Sequence, residues 1–274
     1  MSELAEKKIA MITGAGRGLG RAMALGLAKA GYVVAAIDLP ESATLLASLA
    51  AEAKAVGGEL HPVHCDVTDS SRCESTVSEI RQQFGAIDIL INDAAIGMEV
   101  LTPYIHSNPI KFYDVEESFW RRVLEINLLG TVRLTKLVVP HQVERGWGRI
   151  INVTTSLTTM VKAGFSPYGP SKAAIEAASA VWSKELVGTG VTVNVLIPGG
   201  PANTRMIPQE DMAALGRSER EELVQPQQMV PPLLWLVSPA ADKVTGRRYQ
   251  AKLWSSDVPA EQAEKASGAI VAWA

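Results

Sequence analysis

Tyr168 and Lys172 stand four residues apart in Tyr168-Gly-Pro-Ser-Lys172, so a helix that begins near Tyr168 carries both side chains on one face. A phenol with a pKa near 10 is a poor base at neutral pH, and a lysine ammonium beside it stabilises the phenolate. Such a tyrosine exchanges a proton with a substrate hydroxyl. Taken alone the pair says little, because Tyr and Lys at this spacing arise often by chance. A second group lies near the start of the chain, in Thr13-Gly-Ala-Gly-Arg-Gly-Leu-Gly20. Glycines at 14, 16, 18 and 20 let backbone N–H groups approach a pyrophosphate, and the helix that follows presents its positive N-terminal end. The spacing is Gly14-x-x-x-Gly18-x-Gly20, with Leu19 inside it, rather than Gly-x-Gly-x-x-Gly. Asp38 follows eighteen residues after Gly20, at the end of the next apolar run. A carboxylate there accepts hydrogen bonds from the ribose hydroxyls of NAD and repels the 2′-phosphate of NADP. Arg17, in the glycine turn, pulls the other way as a phosphate ligand. NAD is the expected cofactor and NADP the second choice.

These groups need rigid elements to hold them, and the chain supplies an alternation of short aliphatic runs with longer segments of helical period. The runs are Lys8–Thr13, Val33–Ile37, Leu60–Val67, Ile87–Asn92, Arg149–Thr154 and Val191–Ile197. Helical stretches are expected over Arg21–Ala30, Ala43–Val56, from Ser71 to Phe84, and about Tyr168–Val187; Ser71 with Glu74 reads as a capping box. Nearly continuous apolar strands are what a sheet covered on both faces requires. The pattern predicts one α/β domain over residues 1–274, built on a doubly wound parallel sheet. Gly97–Val115 and Gly199–Arg217 break the alternation near strand ends and are expected to cover a substrate. Met98, Tyr104, Phe112, Tyr113, Met160, Phe165 and Met206 are candidates for its apolar rim, or for anchors to the protein's own core.

Thr13–Gly20, Asn92-Asp-Ala-Ala95, Asn127, the run Gly148–Ser156, Tyr168 with Lys172, and Pro198-Gly199 fall in one order. In that order and spacing the chain resembles the short-chain dehydrogenase/reductase family over about residues 6 to 250. It is most similar to the compact single-domain branch of 3-oxoacyl-carrier-protein reductases and secondary-alcohol dehydrogenases. The resemblance implies a Rossmann-type fold, NAD(P)-dependent hydride transfer and, usually, a homotetramer, with a dimer as the smaller possibility. It makes Tyr168 the general acid/base, Lys172 the group that lowers its pKa and holds the nicotinamide ribose, and Asn127 the holder of a relay water. Asp66 and Val67 would contact the adenine, Asn92 and Ala94 the adenosine side, and Pro198-Gly199 the nicotinamide. The family's serine falls at Thr155 by register, with Ser156 one residue on; neighbours on a strand face opposite sides, so one of the two points inward. Asp93 and Ala95 depart from the family's Asn-Asn-Ala-Gly, the threonine after Pro-Gly sits one place late at Thr204, and Lys252–Ala274 does not match the common ending.

Lys+Arg of 26 against Asp+Glu of 29 gives a net charge of -3 with no basic tract, which argues against nucleic acid as partner. No apolar run approaches the roughly 20 residues of a membrane span. The first residues have neither the basic flank nor the apolar stretch of a signal peptide, and two cysteines make no disulfide framework, so a soluble cytoplasmic protein is expected. His61, His64, Cys65 and Asp66 invite a metal reading, but alternation along a strand splits them between faces, and none is expected. Glu117–Leu137 and Ala173–Leu186, with Trp120 and Trp182, are candidate subunit interfaces or monomer core. The leading reading is an NAD-dependent oxidoreductase interconverting a secondary alcohol and a ketone. The alternatives are an NADPH-dependent 3-oxoacyl-type carbonyl reductase and a non-catalytic dinucleotide-binding regulator.

Overall fold

The aliphatic runs form the middle layer of the molecule. The computed structural model describes residues 7–105 and 107–273, so residues 1–6, 106 and 274 of the expected domain lie outside it. The strands are β1 (Ile9–Thr13), β2 (Val33–Asp38), β3 (Glu59–His64), β4 (Ile89–Asn92), β5 (Gly148–Val153), β6 (Val191–Ile197), β7 (Arg247–Gln250) and β8 (Gly268–Ile270). They make one sheet in the order β3-β2-β1-β4-β5-β6-β7-β8. All neighbours are parallel except the antiparallel pair β7 and β8. Chain direction across the sheet reverses between β1 and β4, so a crevice opens at their carboxyl ends.

The helices used below are α1 (Gly18–Lys29), α2 (Ala43–Ala55), α3 (Ser70–Phe84), α4 (Glu117–Val123), α5 (Gly130–Arg145), α6 (Leu157–Met160) and α7 (Tyr168–Glu185). Side-chain alternation divides the core. Ala10, Ile12, Val34 and Ala36 pack with Met23, Leu27, Leu46 and Leu49 of α1 and α2. Ile9, Met11, Val33 and Ala35 pack on the other face with Val77, Ile80, Leu134 and Val138 of α3 and α5. The doubly wound expectation is met, and the aliphatic core explains why aromatics are few.

Local details differ from the sequence reading. Helix α3 is capped by Asp69, whose Oδ1 accepts the Arg72 N–H at 2.9 Å, while the Ser71 hydroxyl donates to the same carboxylate. An ionised carboxylate at the cap outcompetes the weaker Ser71–Glu74 box. Between α4 and α5 the helix widens into a π-helical segment, Leu124–Leu129, which turns Asn127 into the interior. Gly97–Val115 is anchored to the helices beside it: Met98, Ile105 and Val115 pack with Phe119 and Val123 of α4 and Tyr168 of α7. Tyr104, Phe112 and Tyr113 point to solvent, so they do not form the expected apolar rim. Among the described residues no helix is long and apolar enough to cross a membrane.

Candidate active site

The crevice is a cavity of ≈ 1690 Å³ that runs from the β2 end, past the glycine turn, to Tyr168. Gly14 takes a left-handed backbone (φ 69°), and a Cβ there would lie 3.0 Å from the Ala94 Cα. At Gly20 a Cβ would fall 2.3 Å from the Gly14 carbonyl oxygen and 2.7 Å from Asp93 Oδ2, so the first turn of α1 can close on the loop only without a side chain. The turn is thus a backbone cradle at a helix N-terminus, which fits the pyrophosphate of a dinucleotide. Asp38 braces it. Its Oδ2 accepts the Gly16 N–H at 2.8 Å, and its Oδ1 accepts the Leu39 N–H at 2.8 Å and the Ser42 hydroxyl at 3.0 Å. A carboxylate has about four acceptor sites, which leaves Oδ2 free to take a ribose hydroxyl. Arg17, Gly18, Leu19, Asp66, Val67, Ala94, Pro198 and Thr204 line the same cavity. Asp66 Oδ1 is turned to the Thr68 N–H and hydroxyl, at 2.9 and 2.8 Å. Thr204 packs its methyl 3.3 Å from the position of a Gly18 Cβ, while Gly199 lies behind the lining, close to Gln250 and Lys252.

At the other end of the cavity Tyr168 is buried and shares a side-chain hydrogen bond with Thr155. Burial and the nearby Glu99 and Asp93 carboxyls push its phenol above the usual tyrosine range, against the Thr155 bond, which lowers it. Lys172 is buried beside it and donates from Nζ to the Val153 carbonyl at 2.8 Å. Burial lowers the Lys172 ammonium, opposed by Asp93, and burial raises the Asp93 carboxyl, opposed by Lys172 and the Gly20 N–H. The expected depression of Tyr168 by Lys172 is therefore not met. The ammonium is turned to the Val153 carbonyl and coupled to Asp93, and desolvation dominates the phenol.

The structure also separates Thr155 from Ser156. Thr155 lines the cavity, whereas the Ser156 hydroxyl caps α6, accepting the Thr159 N–H at 3.1 Å and bonding the Thr158 and Thr159 hydroxyls. Asn127 has both amide hydrogens committed, to the Ile96 carbonyl at 2.9 Å and Ser171 Oγ at 3.0 Å, and its Oδ1 accepts the Ile96 N–H at 2.9 Å. It clamps the loop after β4 to the start of α7, and one Oδ1 lone pair is left for a further partner. Asn92 is corrected. Its amide points into the core, donating to Asn152 Oδ1 at 2.8 Å and Thr135 Oγ1 at 3.2 Å, because the last residue of a doubly covered strand can face either layer.

Of the proposed rim, Phe165 and Met206 line the cavity; Met98 and Met160 are buried in the core. His61 turns to Glu59 Oε1 at 3.2 Å and stacks near Phe84. Sequence reasoning missed Glu99, whose carboxyl lies among apolar side chains and is raised by burial, opposed by the Gly97 N–H and by Arg17. The one hint was an acid isolated in Ile96-Gly-Met-Glu-Val-Leu101.

An open parallel sheet, a glycine cradle at its switch point and a buried Tyr/Lys pair in one cavity define a dinucleotide-dependent oxidoreductase architecture. The family model described as short chain dehydrogenase matches residues 8–213. The 3-oxoacyl-acyl-carrier-protein reductase FabG of Thermotoga maritima is 31% identical over 245 residues, covering 88% of this chain and 95% of that protein. Nodulation protein G of Azospirillum brasilense is 32% identical over 243 residues, covering 88% and 94%. A crystal structure described as a short-chain dehydrogenase/reductase from Burkholderia xenovorans superposes with a TM-score of 0.75 at 28% identity, covering 87% of this chain and 92% of that one. The chain belongs to the short-chain dehydrogenase/reductase family and is an NAD(P)-dependent oxidoreductase acting on C=O and CH–OH groups.

Proposed function

We propose that the chain reduces the ketone of a 3-oxoacyl-type substrate with NADH. The observation that carries the reading is the placement of Tyr168, buried at one end of the cavity and hydrogen-bonded to Thr155, where two hydroxyls can meet one substrate oxygen. The likeness to proteins named 3-oxoacyl-acyl-carrier-protein reductases supports the direction of reduction, and it favours the second sequence reading over secondary-alcohol oxidation. For the dinucleotide, the free acceptor capacity of Asp38 supports NADH over the NADPH of that second reading.

Bound in this cleft, a reduced nicotinamide supplies the hydride. The glycine cradle would hold its pyrophosphate, Asp38 Oδ2 would accept from an adenosine-ribose hydroxyl, and Asp66 and Val67 would border the adenine. Thr155 and Tyr168 hydrogen-bond the substrate carbonyl oxygen, which polarises its carbon. As negative charge gathers on that oxygen, Tyr168 Oη delivers its proton, leaving a secondary alcohol and a phenolate. Lys172, buried beside Tyr168 with its Nζ on the Val153 carbonyl, is the nearby cation that can offset the phenolate charge. Asn127 keeps the loop at Ile96 and the start of α7 in fixed relation. A cytoplasmic protein assembling as a homo-oligomer belongs to the same proposal, the assembly supported by Leu129 and Val181, apolar side chains exposed within the two stretches expected at a subunit interface.

The test follows NADH absorbance with a 3-oxoacyl thioester and, in reverse, NAD with simple secondary alcohols. Faster thioester reduction is expected; turnover of simple alcohols alone would restore the first reading.

A further inference from the structure

We propose that Arg248 and Glu176 are positioning residues that set the Thr155 hydroxyl against Tyr168. Strand β5 ends at Val153, and its ladder weakens to a 3.4 Å bond from the Thr154 N–H to the Leu196 carbonyl. Beyond that point side chains hold three successive residues. Lys172 Nζ donates to the Val153 carbonyl at 2.8 Å, Thr154 Oγ1 donates to Glu176 Oε2 at 2.7 Å, and Arg248 Nη2 donates to the Thr155 carbonyl at 3.0 Å. Arg248 also closes on Glu176, Nε to Oε1 at 2.8 Å, and both side chains are buried. Tyr168, Lys172 and Glu176 are spaced four apart along α7, so one helix face carries the proton donor, its cationic neighbour and one jaw of this clamp.

The other jaw comes from β7, and the end of the chain closes over it. The Ala272 N–H donates to Glu176 Oε1 at 3.3 Å, and Ala272 holds a left-handed backbone (φ 62°) that a residue with a Cβ keeps only where its surroundings demand it. The forked guanidinium is the chemistry the arrangement needs. It reaches a carboxylate and a carbonyl at once in fixed geometry, which an ammonium on a flexible stem does not. Charge-assisted bonds between buried partners make the clamp stiff. Neither Arg248 nor Glu176 lines the cavity, so their effect on turnover runs through Thr155.

This inference rests on the reading of Thr155 as a group that bonds the substrate oxygen, and a double-mutant cycle separates the two. Arg248→Lys keeps the charge opposite Glu176 and loses the fork. It is expected to lower kcat about 10- to 100-fold with NADH affinity and substrate KM nearly unchanged, the range that misplacement of a reacting group produces. Thr155→Ala alone is expected to lower kcat by about 100-fold or more. If Arg248 acts through Thr155, adding Arg248→Lys to Thr155→Ala costs nothing further. Additive losses, or full kcat in Arg248→Lys, overturn the positioning role and leave the reading of Thr155 standing. Full kcat in Thr155→Ala overturns both. Should Arg248→Lys fail to fold, Thr154→Val, which removes the hydroxyl bonded to Glu176, is put through the same cycle and read in the same way.

Discussion

Neutralising Asp38 tests the choice of dinucleotide. The carboxylate sits at the end of β2 with Oδ2 on the Gly16 N–H and Oδ1 on the Leu39 N–H and Ser42 hydroxyl. Replacing it by alanine would free the glycine turn and weaken every dinucleotide alike, so the informative change is Asp38→Asn. The amide oxygen can keep the Gly16 bond and the Ser42 hydroxyl can turn to accept from the NH2; the Leu39 N–H bond is lost, a cost common to both dinucleotides, and the negative charge is gone. A unit charge opposing another at about 4 Å is worth about 1 kcal/mol in water and about 4 at an effective dielectric of 20. An intermediate value of about 2 kcal/mol corresponds to roughly 30-fold in the ratio of NADPH to NADH dissociation constants, at 1.4 kcal/mol per tenfold. The assay is competition titration of the two dinucleotides, read by energy transfer from the six tryptophans. The wild-type protein is expected to prefer NADH by at least this factor, and Asp38→Asn to lose most of the preference through tighter NADPH binding. An unchanged ratio in the variant, or a wild-type preference for NADPH, would refute the electrostatic argument.

Gly20→Ala places a methyl against the Gly14 carbonyl oxygen, a backbone atom with no flexible end to yield. Overpacking of about 1–3 kcal/mol is expected, or a fall in Tm of roughly 2–12 °C by calorimetry, together with weaker NADH binding; an unaltered Tm would show that the cradle is not closed as described. Because burial raises the Tyr168 phenol, the proton donor stays loaded as pH rises through neutrality. The kcat for ketone reduction should therefore be flat between about pH 6 and 8, while alcohol oxidation, which needs the phenolate, climbs with pH over the same window. A tenfold loss of reduction per pH unit there would mean that the phenol ionises near neutrality.

The alternation of aliphatic runs made the sheet legible, because Ile9 to Thr13 and Val33 to Ile37 are apolar on both faces and need the intervening helical segments to cover them. The glycine turn, Asp38, Tyr168 and Lys172 were legible for a related reason: each needs a residue type that few others replace. What could not be read was direction and distance. Asn92 ends a strand, and whether its amide turns to the cleft or to Asn152 depends on the layer packed against it. Ser156 and Thr155 are indistinguishable by type, and only the start of α6 assigns one of them to a cap. The Glu176–Arg248 pair joins residues 72 apart through β7, a short strand absent from the expected series of aliphatic runs. The sign of the Tyr168 shift was also out of reach. It depends on how completely the surrounding packing excludes water and on how near the Glu99 carboxyl is brought, neither of which is written in residue type.

The central claim is that Tyr168 donates the proton to the carbonyl oxygen, and Tyr168→Phe removes that proton while keeping the ring that packs with Val123 and Phe119. The direct measurement is kcat for reduction of a 3-oxoacyl thioester beside the NADH dissociation constant of the same preparation. The account predicts a loss of about 10²- to 10⁴-fold in kcat with NADH binding held within about twofold. Turnover near the wild-type rate with NADH binding intact would contradict it.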